Sequence, residues 1–505
     1  MRVRVVTTGS NNLAVQVVYR VQSRTKVVKH LGTSHNDEEL ANLKRQAEIY
    51  IENNLGIAPL FPEYSANTRR QKTSSLLNSL EFVASRHNLI YESLLAWYSH
   101  LGFDRVNNPL LRDLAIVRLI EPASKHRSVE FLARHFGVNY SPTKMYRELP
   151  KLAVHQEMVE QIAVRYATTH YQFSFALVFY DVSTLYFESF TESDLQKCGF
   201  SKDHKHGQPQ IMIGLLVNEL GFPIAYNLFS GNTFEGHTIL PVLKDLCARH
   251  QIKTLTVVAD AGMLSTKNVE EIIKSGFSYI VGARLGKVSL KKALDLHGFF
   301  NYNPDHEHYF IECSPYGTFV ADYSLKRAKK DKRDREKQLE KAKTKIKGNT
   351  ATQATKFVKV TKKASYTLNR NLIEKAKMME GIKGYYTNLD LVMTTEPKLV
   401  IDRYHDLWHV EKAFRMAKTD LLARPIYHYK KKSIETHLLI VFISLCLGRS
   451  LEITTKLSLA RAISLLWEVE DITLIDPQTH DSYIKRSNKI TRELTELLGK
   501  LKTAY

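Results

Sequence analysis

Apolar residues fall into three regimes along the chain. In the first, short alternating stretches recur at Val3 and Val5, at residues 13–19 and at residues 26–31. Gly9-Ser-Asn-Asn and Ser23-Arg-Thr separate them as turns. A period of two predicts strands. A polar helix is expected over residues 37–53, so residues 1–60 read as a small strand-plus-helix module. In the second regime, residues 61–170, apolar positions recur at helical spacing from about residue 75 onward. Leu110 to Ile120 is one such run, ending before Pro122. Ser128 to Gly137 and Thr143 to Leu152 predict two short helices linked through Gly137 and Ser141-Pro142. They form either a helix-turn-helix, with a basic second helix in a DNA major groove, or part of an ordinary helical bundle. Lys144, Arg147 and Lys151 are the residues a recognition helix would present.

From residue 171 the apolar runs shorten to strand length, at 174–181, 211–217, 222–229, 255–260 and 278–283. Asn218-Glu-Leu-Gly221 joins the second and third as a hairpin. Helices are expected over 236–250 and 266–275. The order strand, strand, strand, helix, strand, helix, strand predicts an α/β core, a mixed sheet with flanking helices. This is the element order of the ribonuclease-H-like fold. Residues 171–287 make its first part and 399–450 its last. A basic insertion, 288–398, interrupts it, and a helical region, 451–505, follows. Within the insertion, Lys326 to Lys347 holds twelve basic and four acidic side chains, a net +8. It reads as a solvated helix or as an arm gripping phosphates through Lys329, Lys330 and Arg333. The run Leu438 to Leu447 is too short to span a bilayer and reads as a core helix.

Composition adds one strong constraint. The 505 residues suit two to four domains, and 44% hydrophobic with 25% charged residues is ordinary for a globular chain. Lys and Arg number 72 against 52 Asp and Glu, a net +20. That excess favours a polyanionic partner, nucleic acid first, over a basic protein with no such partner. Four cysteines without a C-x-x-C pair argue against a cysteine zinc site or a disulfide framework and suit a reducing cytoplasm. The first ten residues carry no long apolar stretch, so no secretory signal is expected.

Three carboxylates stand out against this pattern. Asp181 ends the run 174–181, and Asp260 ends the run 255–260. Glu411 lies within 402–421, where Leu407, Val410, Phe414, Ala417 and Leu421 mark an amphipathic helix. Tyr404, Glu411 and Lys418 are spaced by seven and share one face, with Arg415 nearly on the same line. Two strand mouths and a helix can aim three carboxylates at one point. Hard divalent cations are held by a few carboxylates plus substrate phosphates, and a pair of them about 4 Å apart clamps the attacking and leaving oxygens of a phosphoryl transfer. Taken singly, Glu411 and Arg415 are also an ordinary exposed ion pair. His204 and His206 have ligand-like spacing but read as part of a basic loop, because further zinc ligands are missing. Trp408 suits either a base stack or core packing.

The blocks Tyr180-Asp-Val-Ser-Thr-Leu-Tyr-Phe-Glu, Gly199-Phe-Ser-Lys-Asp-His, Gly231-Asn-Thr-Phe-Glu-Gly-His-Thr and Val258-Ala-Asp-Ala-Gly-Met occur in that order. Residues 404–418 and Arg424-Pro-Ile-Tyr-His follow. Together they resemble bacterial DDE transposases, most of all the insertion-sequence-four superfamily, over roughly residues 100 to 450. The resemblance implies a ribonuclease-H-like core in which Asp181, Asp260 and Glu411 are catalytic and bind two Mg²⁺, with Mn²⁺ as a substitute. It implies cleavage of double-stranded transposon ends and their transfer into target DNA by a homodimer on DNA, in the bacterial cytoplasm and away from any membrane. Tyr404 and Lys418 match a Tyr-x2-Arg-x3-Glu-x6-Lys signature and would hold a terminal phosphate. The signature Arg is Leu407 here, and Arg415 or Arg403 is expected to replace it. Two other readings remain: a nuclease of the same fold that does not join ends, and a DNA-binding protein whose site is unused.

Overall fold

In the computed structural model, the structure describes residues 1–9, 12–21, 24–55, 80–201, 205, 207–263, 265–302, 308–348, 355–360, 365–390, 396–487 and 490–503. The chain divides into two compact units. The first comprises Met1–Arg86 and Glu470–Ser487. In it, β1 (Arg2–Thr7), β2 (Leu13–Val21) and β3 (Arg24–Ser34) form an antiparallel sheet. The helix Asp37–Leu55 buries Ala47 against Val15 and Val17 of β2. β4 (Glu81–Arg86) pairs with β15 (Asp471–Ile475), which pairs in turn with β16 (Ser482–Arg486). These three strands depart from the helical expectation for residues 75–170 and 451–505. Each is only five or six residues long, and β4 finds its partner near the far end of the chain, which local periodicity does not register.

The second unit comprises His87–Val469 and Asn488–Tyr505. Its strands are β5 (Leu177–Tyr186), β6 (Gln210–Val217), β7 (Pro223–Ser230), β8 (Thr256–Ala259), β9 (Ser278–Gly282), β10 (Phe310–Ser314), β11 (Gly317–Tyr323) and β14 (Ile382–Thr387). They make one sheet in the order β10-β11-β14-β9-β8-β5-β6-β7. β5 to β8 and β8 to β9 are parallel, and the other pairings are antiparallel. β12 (Val358–Val360) and β13 (Tyr366–Leu368) pair separately. The five strands β7-β6-β5-β8-β9, with helices Ile239–His250 and Thr266–Lys274 as crossovers, have the expected ribonuclease-H-like order. The insertion does not stand apart from them. β14 pairs with β9 through Tyr385–Thr387, and with β10 and β11 it extends the core sheet by three strands. Covering β9 in this way removes an apolar edge that would otherwise invite pairing with another chain.

Helices Asn88–His100, Pro109–Ile120, Lys125–Phe136, Pro142–Glu148 and Gln156–Tyr171 share one hydrophobic core with this sheet. The helix Lys431–Thr455 runs through it, buried almost continuously from Ile434 to Leu451. A helix that is apolar all round needs such an interior. Its length and composition would suffice for a bilayer, but most of the apolar stretch is buried in the protein. Near its end Arg449, 2% exposed, donates to the Leu220 and Gly221 carbonyls at the β6–β7 turn and to Glu452 at 2.7 Å. Glu452 also receives Lys412 at 2.8 Å. The same carboxylate therefore neutralises a buried guanidinium and ties down the helix that carries Glu411.

Removing one partner of such a pair leaves the other charge buried alone. Glu452→Ala is expected to lower unfolding stability by about 3–5 kcal/mol, measured by chemical denaturation. A loss no larger than that of an exposed pair, under about 1 kcal/mol, would contradict this role.

Candidate active site

The site begins with strand register. β5 and β8 run parallel with Tyr180 opposite Ala259, so Asp181 and Asp260 follow as neighbours. Adjacent strands lie about 4.8 Å apart. Asp260 sits where β8 has ended, on the exposed side of a buried Val-Val-Ala run. Arg284 fixes the turn beyond it, its Nε donating to the Ala261 carbonyl at 2.9 Å and its Nη2 to that of Gly262 at 3.0 Å.

The third carboxylate arrives from a helix, Trp408–Arg415, that packs across β5 and β6. Tyr404 links it to the strands. The Tyr404 ring is buried, and its hydroxyl donates to Asp260 Oδ1 at 3.0 Å. Burial, then the charge of and hydrogen bond to Asp260, and then the charges of Asp181 and Glu411 push its phenol pKa up. All three carboxylates thus bear on one hydroxyl. Gly282 at the end of β9 makes this approach possible, because a Cβ there would collide with the Tyr404 hydroxyl.

The helix is not the single straight element that the apolar spacing predicts. Pro397–His405 ends, and Leu407 and Val410 close tighter turns onto Tyr404 and Leu407 three residues back. Trp408–Arg415 follows, and then Met416–Asp420 widens into a π turn, with the Leu421 amide donating to Met416. Such turns often mark functional sites. Lys418 lies within the widened turn and Arg415 just before it, exposed. Leu407 is buried in the core. Arg403 is paired with Glu219 at 3.1 Å. Trp408 is 50% exposed and stacks on His409, so it is not a core residue.

A cavity of about 550 Å³ opens beside Asp260 and Tyr404. Its far wall is the helix Leu325–Lys347 of the insertion, presenting Arg327, Asp331 and Arg335. Lys329, Lys330 and Arg333 of that helix are exposed and do not line it. Lys144 and Arg147 are exposed on Pro142–Glu148, with Arg147 3.6 Å from Glu148. His204 and His206 lie outside the described residues.

Three residues of the site escape sequence reasoning. Lys383 on β14 lies over the Tyr404 ring at 4.4 Å. Burial, and then Arg327, lower its ammonium pKa, while Asp322, Asp260 and Glu411 oppose that shift. A lysine inside the otherwise apolar and aromatic Ile-Lys-Gly-Tyr-Tyr was the available signal. The second is Arg284. The third is Glu235, whose carboxylate would meet a Cβ at Gly262 at 2.9 Å and whose charge, with that of Asp181, bears on buried Tyr180.

Among the described residues no three His, Cys, Asp or Glu side chains close into a metal-binding group. The donor chemistry nevertheless fits a hard divalent ion. Asp181 and Asp260 supply adjacent carboxylates, and such ions fill their remaining positions with water and phosphate oxygens.

A double-mutant cycle tests the Tyr404 geometry. Tyr404→Phe is expected to cost about 1 kcal/mol and Gly282→Ala about 1–3 kcal/mol. Together they should cost less than the sum, because Phe removes the colliding atom. Strict additivity in denaturation midpoints would refute the close approach.

Among solved structures, the chain is similar to the piggyBac transposase of a synaptic complex with hairpin DNA, at 10% identity and a TM-score of 0.35, over 75% of this chain and 70% of that one. No curated protein matches the sequence. The family described as Transposase DDE domain matches residues 177–447, more than half of the chain and a span that holds Asp181, Asp260, Tyr404 and Glu411. The chain belongs to this family and is a transposase.

Proposed function

We propose that this transposase cuts double-stranded DNA at the ends of an insertion sequence of the insertion-sequence-four type and joins them to target DNA, with Asp181, Asp260 and Glu411 as its catalytic carboxylates. One observation carries the reading: Asp181 and Asp260 follow each other on the paired strands β5 and β8, and Tyr404, on the helix just before the one that carries Glu411, donates to Asp260 at 3.0 Å.

DDE transposases generally use divalent metals, and Mg²⁺, with Mn²⁺ as substitute, suits an all-oxygen donor set. Asp181 and Asp260 would hold the cation with Glu411. When bound, it supplies charge neutralisation at the phosphoryl group and lowers the pKa of a bound hydroxyl or water. The chain itself positions the phosphate. Lys383 and Arg327, at the cavity beside Asp260, offer cations to its oxygens, and Tyr404 keeps Asp260 oriented by donating to one oxygen only. Arg284 keeps the turn beyond Asp260 from drifting, which matters because a misplacement of about 1 Å can cost about 100-fold in rate. Arg415, exposed near the π turn, is the residue proposed for the missing signature arginine. A dimer on DNA follows from the need to cut two ends together.

Asp181→Asn is expected to abolish cleavage of labelled element ends while DNA retardation persists; full cleavage by this variant would refute the assignment. Wild-type protein should give joined products in a strand-transfer assay. Nicks alone would mean a nuclease, and retardation without cleavage an idle site. Chelation with EDTA should stop the reaction, and Mg²⁺ or Mn²⁺ should restore it. Lys383→Ala should lower cleavage by about 10- to 100-fold with DNA affinity little changed, and Lys383→Arg should recover part of it.

A further inference from the structure

A second cavity of the same unit, about 510 Å³, lies among Arg118, Lys125, Arg424, His428 and His437. Its composition is unusual for a protein interior. Lys125 is 4% exposed, at the first turn of the helix Lys125–Phe136, where the helix dipole already disfavours a cation. It makes no hydrogen bond or ion pair among the described residues. Arg118, also 4% exposed, reaches among the described residues only the carbonyls of Leu422 at 2.6 Å and Ala123 at 3.5 Å, and its Nε has no partner among them. His437 meets the Ala423 carbonyl at 3.0 Å. Among the described residues the single carboxylate lining the cavity, Glu121, is paired with Arg127 at 2.7 Å.

Burying cations without a counter-charge costs several kcal/mol per ion in real proteins. The same burial shifts the charges of the groups. Burial, then Lys125 and Arg118, push His428 down to about 4. Burial and Arg118 lower Lys125 well below the usual lysine range. Such an arrangement is relieved by an anion held among the cations.

Its location says which anion. Ile426 pairs with the far end of β5, its amide donating to the Tyr186 carbonyl at 3.0 Å. Asp181 lies five residues back on that strand, roughly 17 Å at about 3.3 Å per residue. β5 itself is buried between these two points, but one DNA strand advances about 3.4 Å per nucleotide, so a strand passing outside the sheet spans that distance in roughly five nucleotides. Tyr146 and Tyr427 stand at the lining of the cavity, 48% and 63% exposed, as surfaces for a sugar or base.

We infer that the Arg118–Lys125–His437 cavity is a second phosphate site, which receives a backbone phosphate of the DNA strand whose scissile phosphate lies at Asp181. The inference rests on the reading of DNA as substrate, and it assigns residues that this reading does not use. The cavity fixes the register of the strand while the carboxylates act on it.

The test compares full-length wild type with Lys125→Met and Tyr427→Ala, using a random-sequence DNA duplex across a salt series and inorganic phosphate in thermal melts. Removing a buried unpaired charge should leave Lys125→Met as stable as wild type or more so without DNA. Its DNA affinity should fall about tenfold, and its salt slope should shrink by about one. Tyr427→Ala, too exposed to affect folding, should weaken binding without changing the slope. Equal affinity and slope for wild type and Lys125→Met overturn the cavity assignment while DNA binding stands. Phosphate raising the melting temperature of wild type only, with DNA affinity unchanged in Lys125→Met, makes it a free-anion site and also overturns it. Wild type that does not bind the duplex overturns the reading of DNA as substrate as well.

Discussion

The parallel pairing of β5 with β8 is the constraint on which the site depends. Tyr180 opposite Ala259 leaves no freedom for the residues that follow, so Asp181 and Asp260 emerge side by side from two buried strands. A slip of one residue would turn either side chain to the other face of the sheet. The apolar β5 and β8 residues, with Val178, Phe179, Val257 and Val258 fully buried, make that slip costly. Carboxylates that repel one another are thus held together by hydrophobic burial a few ångströms away. Tyr404 adds a neutral donor to Asp260.

The insertion contributes to the same end of the sheet. It adds β14 beside β9, and β14 brings Lys383 over Tyr404. The helix Leu325–Lys347 then closes the cavity with Arg327 and Arg335. A highly basic helix has one face spent on the cavity and another, with Lys329, Lys330 and Arg333, left to solvent. Positive charge near three carboxylates lowers their mutual repulsion without a covalent link, and it also offers a surface to phosphate oxygens.

Much of this was legible in the sequence, for physical reasons. Buried β8 stops at Ala259, so Asp260 could be read directly as a carboxylate at a strand end; Asp181, expected at the end of the run 174–181, lies instead midway along β5, which continues to Tyr186 through residues that the hydroxyls of Ser183 and Thr184 made look polar. The switch from helical to strand-length apolar runs at residue 171 gave the order of β5 to β9. The apolar spacing of three and four around Glu411 revealed a helix. That same spacing concealed the tightened turn at Leu407 and the π turn at Met416–Asp420, because one turn gains what the other loses and the apolar stripe survives. Lys383, Arg284 and Glu235 were hidden because their roles exist only between distant segments. Lys125 was hidden more deeply: Lys-His-Arg at a helix start looks like a solvated first turn, yet its first residue is buried. The pairing of β4 with β15 was invisible for the same reason of distance.

The account stands or falls on whether Asp181, Asp260 and Glu411 serve one cation site. Crystals of the DNA-bound protein soaked in Mn²⁺ and measured at the manganese absorption edge test this most directly. The account predicts anomalous peaks bounded by oxygens of Asp181 and Asp260, with Glu411 drawn to the same cluster. Manganese bound elsewhere, or a Glu411 carboxylate turned away from an ion held by the two aspartates, would contradict it.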